Sequence, residues 1–238
     1  MSTTFRRPLP VLLLLLAASC APAAVRGSAA GVPASSPERE LVVLVHGMGR
    51  TPLSMLPLER RLEREGYVVL NWGYSSTCCG VAELSARLRR AVEDHPAADG
   101  RVHFVSHSLG GILVRRVLAE DDLPFATGRV VMLAPPNQGS RAADRLAPAL
   151  GWLLRPLPEL RTDAMRSASS LAVAAEVEVG VIAGRYDAKV SVAESWLEGM
   201  DGHVVVPATH GFLMLRGDVQ RLVLQFLRDG AFSPQEDP

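Results

Sequence analysis

One serine in this sequence stands where a nucleophile could work. Val102-His103-Phe104-Val105-Ser106-His107-Ser108-Leu109-Gly110-Gly111 reads as an apolar run, a turn of small residues, and the start of an apolar helix (Ile112, Leu113, Val114, Val117, Leu118). A strand that reverses straight into a helix leaves little room, so the positions two before and two after the tip must be small. Here they are Ser106 and Gly110. The tip residue, Ser108, is then expected in a strained backbone conformation with its hydroxyl clear of the sheet and beside a helix N-terminus. A serine hydroxyl is a weak nucleophile by itself. It needs an adjacent base, a third group to orient that base, and N–H donors for the negative charge that develops on an attacked carbonyl.

The elements that must position such groups follow from the apolar pattern. Leu41 to Val45, Tyr67 to Trp72, Val102 to Val105, Arg129 to Ala134, Val177 to Ala183 and Val204 to Val206 are short apolar runs, as expected of strands buried on both faces. Between them, Leu53 to Glu65, Val81 to Val92, Gly110 to Leu118 and the stretch after His210 (Phe212, Leu213, Leu215, Val219, Leu222, Val223, Phe226, Leu227) carry helical spacing. Strands alternating with helices over short connections predict an α/β domain: a mostly parallel sheet, covered on both faces, with right-handed crossovers. In such a sheet the site lies beyond the carboxyl ends of the strands. Arg141 to Leu171 breaks the alternation, with Pro148, Pro156, Pro158 and the apolar Gly151-Trp152-Leu153-Leu154, and is expected to form a small helical cap.

The turn around Ser108 resembles the G-x-S-x-G nucleophile elbow of the α/β-hydrolase superfamily, with Ser106 in place of the first glycine. His46-Gly47-Met48-Gly49 after the first strand resembles that superfamily's oxyanion loop, and Leu133-Ala134-Pro135-Pro136-Asn137-Gln138-Gly139-Ser140 resembles the corresponding stretch of bacterial lipase-like members. The likeness extends over roughly Leu41 to Leu227. It implies the chain order Ser, Asp, His, with the acid after the fifth strand and the histidine after the last. Asp187 and His210 occupy those places. Glu194 is the weaker substitute for the acid, while Asp163 falls in the cap and Asp201 on the following turn. His203 lies at the wrong end of its strand, His103 within a strand, and His107 on the flank of the elbow. The implied oxyanion donors are the backbone N–H groups of Met48 and Leu109, with His46 orienting the loop. The implied chemistry is hydrolysis of carboxylic esters by a compact lipase- or esterase-like enzyme without cofactor. Acyl transfer, thioester or amide cleavage by the same triad, and ligand binding on an inactive scaffold, are the alternatives. Trp152 and Leu153 are expected to face substrate from the cap, or else to pack the cap onto the domain.

The totals fit this frame. The 238 residues, 48% hydrophobic, suit one domain with a sizeable core, expected over residues 38–230. Lys+Arg and Asp+Glu each number 25, so there is no charge excess of the kind a nucleic-acid surface needs. The histidines and cysteines show no H-E-x-x-H or C-x-x-C spacing, so no metal site is expected. At the amino terminus, Arg6-Arg7, the apolar Val11 to Leu16, and Ala17-Ala18-Ser19-Cys20 form an export-signal pattern over residues 1–20. The small residues before Cys20 resemble a bacterial lipobox, which implies lipidation of Cys20 and membrane association through it; ordinary cleavage after Ala21 or Ala24 is the alternative. Residues 21–37 read as a flexible linker and 231–238 as a polar tail. Cys78 and Cys79 are left to form a vicinal disulfide, pair between molecules, or stay reduced.

Overall fold

In the computed structural model, residues 40–167 and 176–232 are described. The expected signal at 1–20 with Cys20, the linker at 21–37, the end of the cap at 168–171 and most of the tail lie outside them.

Six strands form one sheet: β1 (Leu41–Val45), β2 (Val68–Trp72), β3 (Arg101–His107), β4 (Ala126–Leu133), β5 (Val179–Gly184) and β6 (Gly202–Val206). Their order is β2-β1-β3-β4-β5-β6 and every pairing is parallel. The helices between them are α1 (Leu56–Arg64), α2 (Val81–Glu93), α3 (Leu109–Leu118), α4 (Arg141–Leu150), α5 (Thr162–Ser167) and α6 (Gly217–Asp229). Two apolar layers explain why β1 has no polar residue. Leu41, Val43 and Val45 pack with Leu84 and Leu88 of α2 and Leu113 and Val117 of α3. Val42 and Leu44 point the other way, onto Leu58 and Leu62 of α1 and Val219, Val223 and Phe226 of α6. Burying one such side chain contributes roughly 1.5–3 kcal/mol, so alternate residues of a single strand hold helices on opposite faces.

The chain goes from β1 outward to β2, then returns across β1 to β3. The strand order therefore reverses between β1 and β3, and a crevice opens at their carboxyl ends, where open α/β sheets bind ligands. The loop after β1 carries His46-Gly47-Met48-Gly49, and the turn after β3 carries Ser108.

Several boundaries differ from the sequence expectation, and three of them have a clear local reason. The first helix is split into a 3-10 turn at Pro52–Ser54 and α1 from Leu56, because Pro57 has no N–H to continue the ladder and instead occupies the first turn of α1. The last helix starts at Gly217, after a 3-10 turn at Leu213–Leu215; Arg216 between them is extended, and its guanidinium donates to Asp218. Strand β4 begins at Ala126 rather than Arg129, and its register shifts opposite Val102–Phe104. There the His103 ring fills the space beside Gly128, and its Nδ1 accepts a hydrogen bond from the Arg129 N–H at 2.9 Å.

Candidate active site

The elbow is built by crowding. Ser108 has φ 53° and ψ −122°, a backbone conformation that costs a residue with a Cβ on the order of 1–3 kcal/mol. What holds it there is its surroundings. The Ser108 N–H donates to the Leu133 carbonyl at 2.9 Å, and its own carbonyl accepts from the Gly111 N–H at 2.9 Å. A Cβ on Gly110 would overlap the Val45 carbonyl, so α3 can meet the end of β1 only with glycine there. Ser106, the departure from the glycine pattern, is fully buried, so a hydroxymethyl group fits the position.

His210 and Asp187 reach this serine from loops at the same sheet edge. His210 Nε2 lies 3.0 Å from Ser108 Oγ, and His210 Nδ1 lies 2.6 Å from Asp187 Oδ2. The second carboxylate oxygen, Oδ1, accepts from the N–H groups of Lys189 and Val190 at 2.8 and 2.9 Å. The aspartate side chain is wholly buried, and the histidine side chain nearly so. These contacts fix the polarity of the chain: the carboxylate accepts from Nδ1–H, which leaves Nε2 free to accept from the serine hydroxyl. The loop of Asp187 is itself braced, because Ser140 Oγ donates to the Lys189 carbonyl at 2.7 Å.

The competing residues are committed elsewhere. Glu194 accepts from the N–H groups of Arg141 and Ser191, and Asp201 from that of Val179. Asp163 pairs with Arg161 in the cap, and His203 meets Ser195 Oγ at 3.1 Å.

The loop after β1 passes directly over the elbow: a Cβ on Gly47 would stand 3.1 Å from that of Ser108. Met48 lines the cavity at the serine, and Leu109 is the first residue of α3, where an N–H has no acceptor within its own helix. Sequence reasoning missed the supports of this loop. Tyr74 Oη donates to the His46 carbonyl at 2.6 Å, and the rings of Trp72, Tyr74 and His46 form a stack with 4.2 Å between successive centroids. Burial raises the Tyr74 phenol above its ordinary pKa and lowers that of His46, so both stay neutral as spacers. The Gly49 N–H donates to Ser76 Oγ at 2.9 Å. The signal available was the polar Gly73-Tyr74-Ser75-Ser76-Thr77 loop at the carboxyl end of β2. Cys78 and Cys79, next along, are joined to each other.

Beside the serine lies a cavity of about 220 Å³. Its walls are mostly apolar: the cap supplies Leu146 on α4, then Leu154, Leu157 and Leu160, while Pro136, Lys189 and Val190 contribute from the loops after β4 and β5. Trp152 and Leu153, the residues expected to face substrate, do not line it. They are 74% and 54% exposed, and the Trp152 indole N–H donates to the Ala149 carbonyl on the outer side of the cap. The turn after α4 points its next residue, Leu154, inward instead.

A buried imidazole set between a serine hydroxyl and a carboxylate, beside a mostly apolar hollow, is equipped for proton transfer coupled to nucleophilic attack on a carbonyl. In structure the chain is similar to a Bacillus licheniformis lipase, BlEst2. Its propeptide form matches with a TM-score of 0.71 at 17% identity over 87% of this chain and 54% of that one; its mature form matches with a TM-score of 0.64 at 18% identity over 82% and 94%. A metagenomic carboxyl esterase, MGS0156, gives a TM-score of 0.62 at 20% identity over 79% of this chain and 70% of that one. The chain thus spans only about half the length of the propeptide form. No curated protein matches the sequence. The model of the alpha/beta hydrolase family matches residues 42–230, and the chain belongs to that family.

Proposed function

We propose that the protein is a serine esterase that cleaves carboxylic esters with apolar acyl groups. The observation that carries this is the continuous hydrogen-bond order from Ser108 Oγ through His210 to Asp187, with both distances at or below 3.0 Å. In the first half-reaction Ser108 Oγ attacks the ester carbonyl while its proton passes to His210 Nε2. The carboxylate of Asp187 stabilises the imidazolium and holds its ring in place. The N–H groups of Met48 and Leu109 receive the oxyanion, each contributing about 3 kcal/mol at the transition state. His210 then returns the proton to the departing alcohol. In the second half-reaction water attacks the acyl-enzyme, losing its proton to His210, and the carboxylic acid leaves as Ser108 is restored. The hollow between Leu146, Leu154, Leu157 and Leu160 takes the acyl chain. Export, with Cys20 as the lipidated residue, is part of the same proposal and rests on the amino-terminal pattern; incorporation of labelled palmitate into wild type and not into Cys20→Ala tests it.

A fluorophosphonate probe and a series of p-nitrophenyl esters test the reaction together. Wild type is expected to bind the probe covalently at Ser108 and to release nitrophenol, while Ser108→Ala keeps its fold and does neither. Turnover by Ser108→Ala near that of wild type would overturn the assignment.

A further inference from the structure

His107 takes no part in the proton transfers above, yet three catalytic segments meet at its ring. It directly precedes Ser108, at the last position of β3. Its Nε2 lies 2.9 Å from the backbone carbonyl of His210, and its ring centroid is 4.7 Å from that of His210. On its other side the backbone of Gly47 is so close that a Cβ there would come 2.8 Å from His107 Nδ1. The residue is 1% exposed, and among the described residues Nδ1 has no hydrogen-bond partner.

These contacts fix the state of the ring. A carbonyl only accepts, so His107 Nε2 must carry the hydrogen and donate it. Nδ1, pressed against Gly47 and out of water, then keeps its lone pair, and burial holds the imidazole well below its ordinary pKa. A neutral ring is also the form that leaves a positive charge on the neighbouring His210 unopposed.

We propose that His107 is a positioning residue for the base: its Nε2–H tethers the His210 backbone to the elbow, so that nucleophile and base are fixed to each other by one hydrogen bond as well as by the sheet. The proposal rests on the reading of Ser108 and His210 as nucleophile and base. His210 stands on a loop after the last strand, with β4 and β5 between that strand and the elbow strand, and the sheet alone places it only through the whole loop. The tether spans 103 residues of sequence in a single contact. A misplacement of the base by about 1 Å is enough to cost a hundredfold in rate.

Three variants separate this role from packing. The side-chain nitrogen of glutamine reaches the place of imidazole Nε2, that of asparagine reaches only the place of Nδ1, and leucine fills volume with no donor. With a p-nitrophenyl ester as substrate, His107→Leu and His107→Asn are expected to lose roughly ten- to a hundredfold in kcat with KM little changed. His107→Gln is expected to recover most of it, and fluorophosphonate labelling rates follow the same order. Equal losses in all three would show a role in packing alone. Wild-type kcat in the leucine variant would show no role at all. Either outcome overturns the proposal. If instead wild-type protein itself fails to react with the fluorophosphonate, the assignment of Ser108 is what has failed, so the two failures are distinguishable. Should His107→Leu not fold, the Asn and Gln pair still decides, since both carry the same amide.

Discussion

Replacing Ser108 by glycine removes the proposed nucleophile, and it is expected to make the protein more stable. At φ 53° and ψ −122° a Cβ is held where the backbone of an L-residue resists it, at a cost on the order of 1–3 kcal/mol. Glycine adopts this conformation without that cost but gives up about 0.5–1 kcal/mol to the freedom it has in the unfolded chain. The balance favours glycine by about 1 kcal/mol. The correct reference is Ser108→Ala, which loses the same hydrogen bond to His210 yet keeps the strained Cβ. For a domain of this size, 1 kcal/mol corresponds to roughly 2–4 °C in Tm. Scanning calorimetry of the two variants at one pH should therefore place Ser108→Gly above Ser108→Ala by that amount, with neither hydrolysing ester. Ala134, with φ 45°, serves as an internal control outside the catalytic set. Ala134→Gly should gain a comparable increment and keep its activity. A Ser108→Gly variant that melts with Ser108→Ala, or below it, would refute the claim that the elbow stores strain.

Further outcomes follow from the same geometry. Asp187→Asn keeps the two amide contacts at Oδ1 but presents either an N–H or a weaker acceptor to His210 Nδ1; kcat on a p-nitrophenyl ester should fall by ~10⁴ with the fold retained, as judged by circular dichroism. Leu146 lines the cavity while half exposed, so Leu146→Phe should shift the preferred ester to a shorter acyl chain with little change in Tm, whereas Trp152→Ala should leave the chain-length profile where it was. Stability should fall in acid. Burial holds His103 down to about 4 from 6.5, against the opposing pull of Glu40, and moves His107 and His46 in the same direction. Between those pH values the unfolded chain binds more protons than the folded one, so the stability these groups contribute is complete above pH 6.5 and lost as pH falls through the folded value. Urea unfolding at pH 7 and pH 4.5 should show this as a lower midpoint at the lower pH. A midpoint unchanged between the two would count against buried neutral histidines.

The strands and their order along the chain were legible because β1, β5 and nearly all of β3 are buried on both faces, and a continuous apolar run between turn residues allows few other readings. Ser108, Asp187 and His210 were legible for a related reason: each lies on the turn or loop that follows a strand, and a parallel sheet brings all such positions to one edge. What the sequence leaves open is direction. Trp152, Leu153 and Leu154 are consecutive and all apolar, and only the geometry of the turn after α4 decides that the third faces the cavity and the first two face outward. Contacts between distant segments are equally hidden. Tyr74 reaches the loop after β1 across 28 residues and His107 reaches the His210 loop across 103, and neither side chain carries a local pattern that announces its partner. The split of the first helix is written in Pro57, whose missing N–H outweighs the apolar spacing around it.

The reversal of strand order between β1 and β3 has a consequence for how such a protein can change. The two loops proposed to bear the oxyanion donors and the attacking oxygen leave from neighbouring strands of one hydrogen-bonded sheet, whose lateral pitch is about 4.8 Å in any sheet. The gap between electrophile cradle and nucleophile is thereby inherited from main-chain geometry, a ruler that no exchange of side chains can lengthen. The leucines of the cap are under no such constraint. Substrate choice is free to drift with them while the reacting atoms keep their spacing.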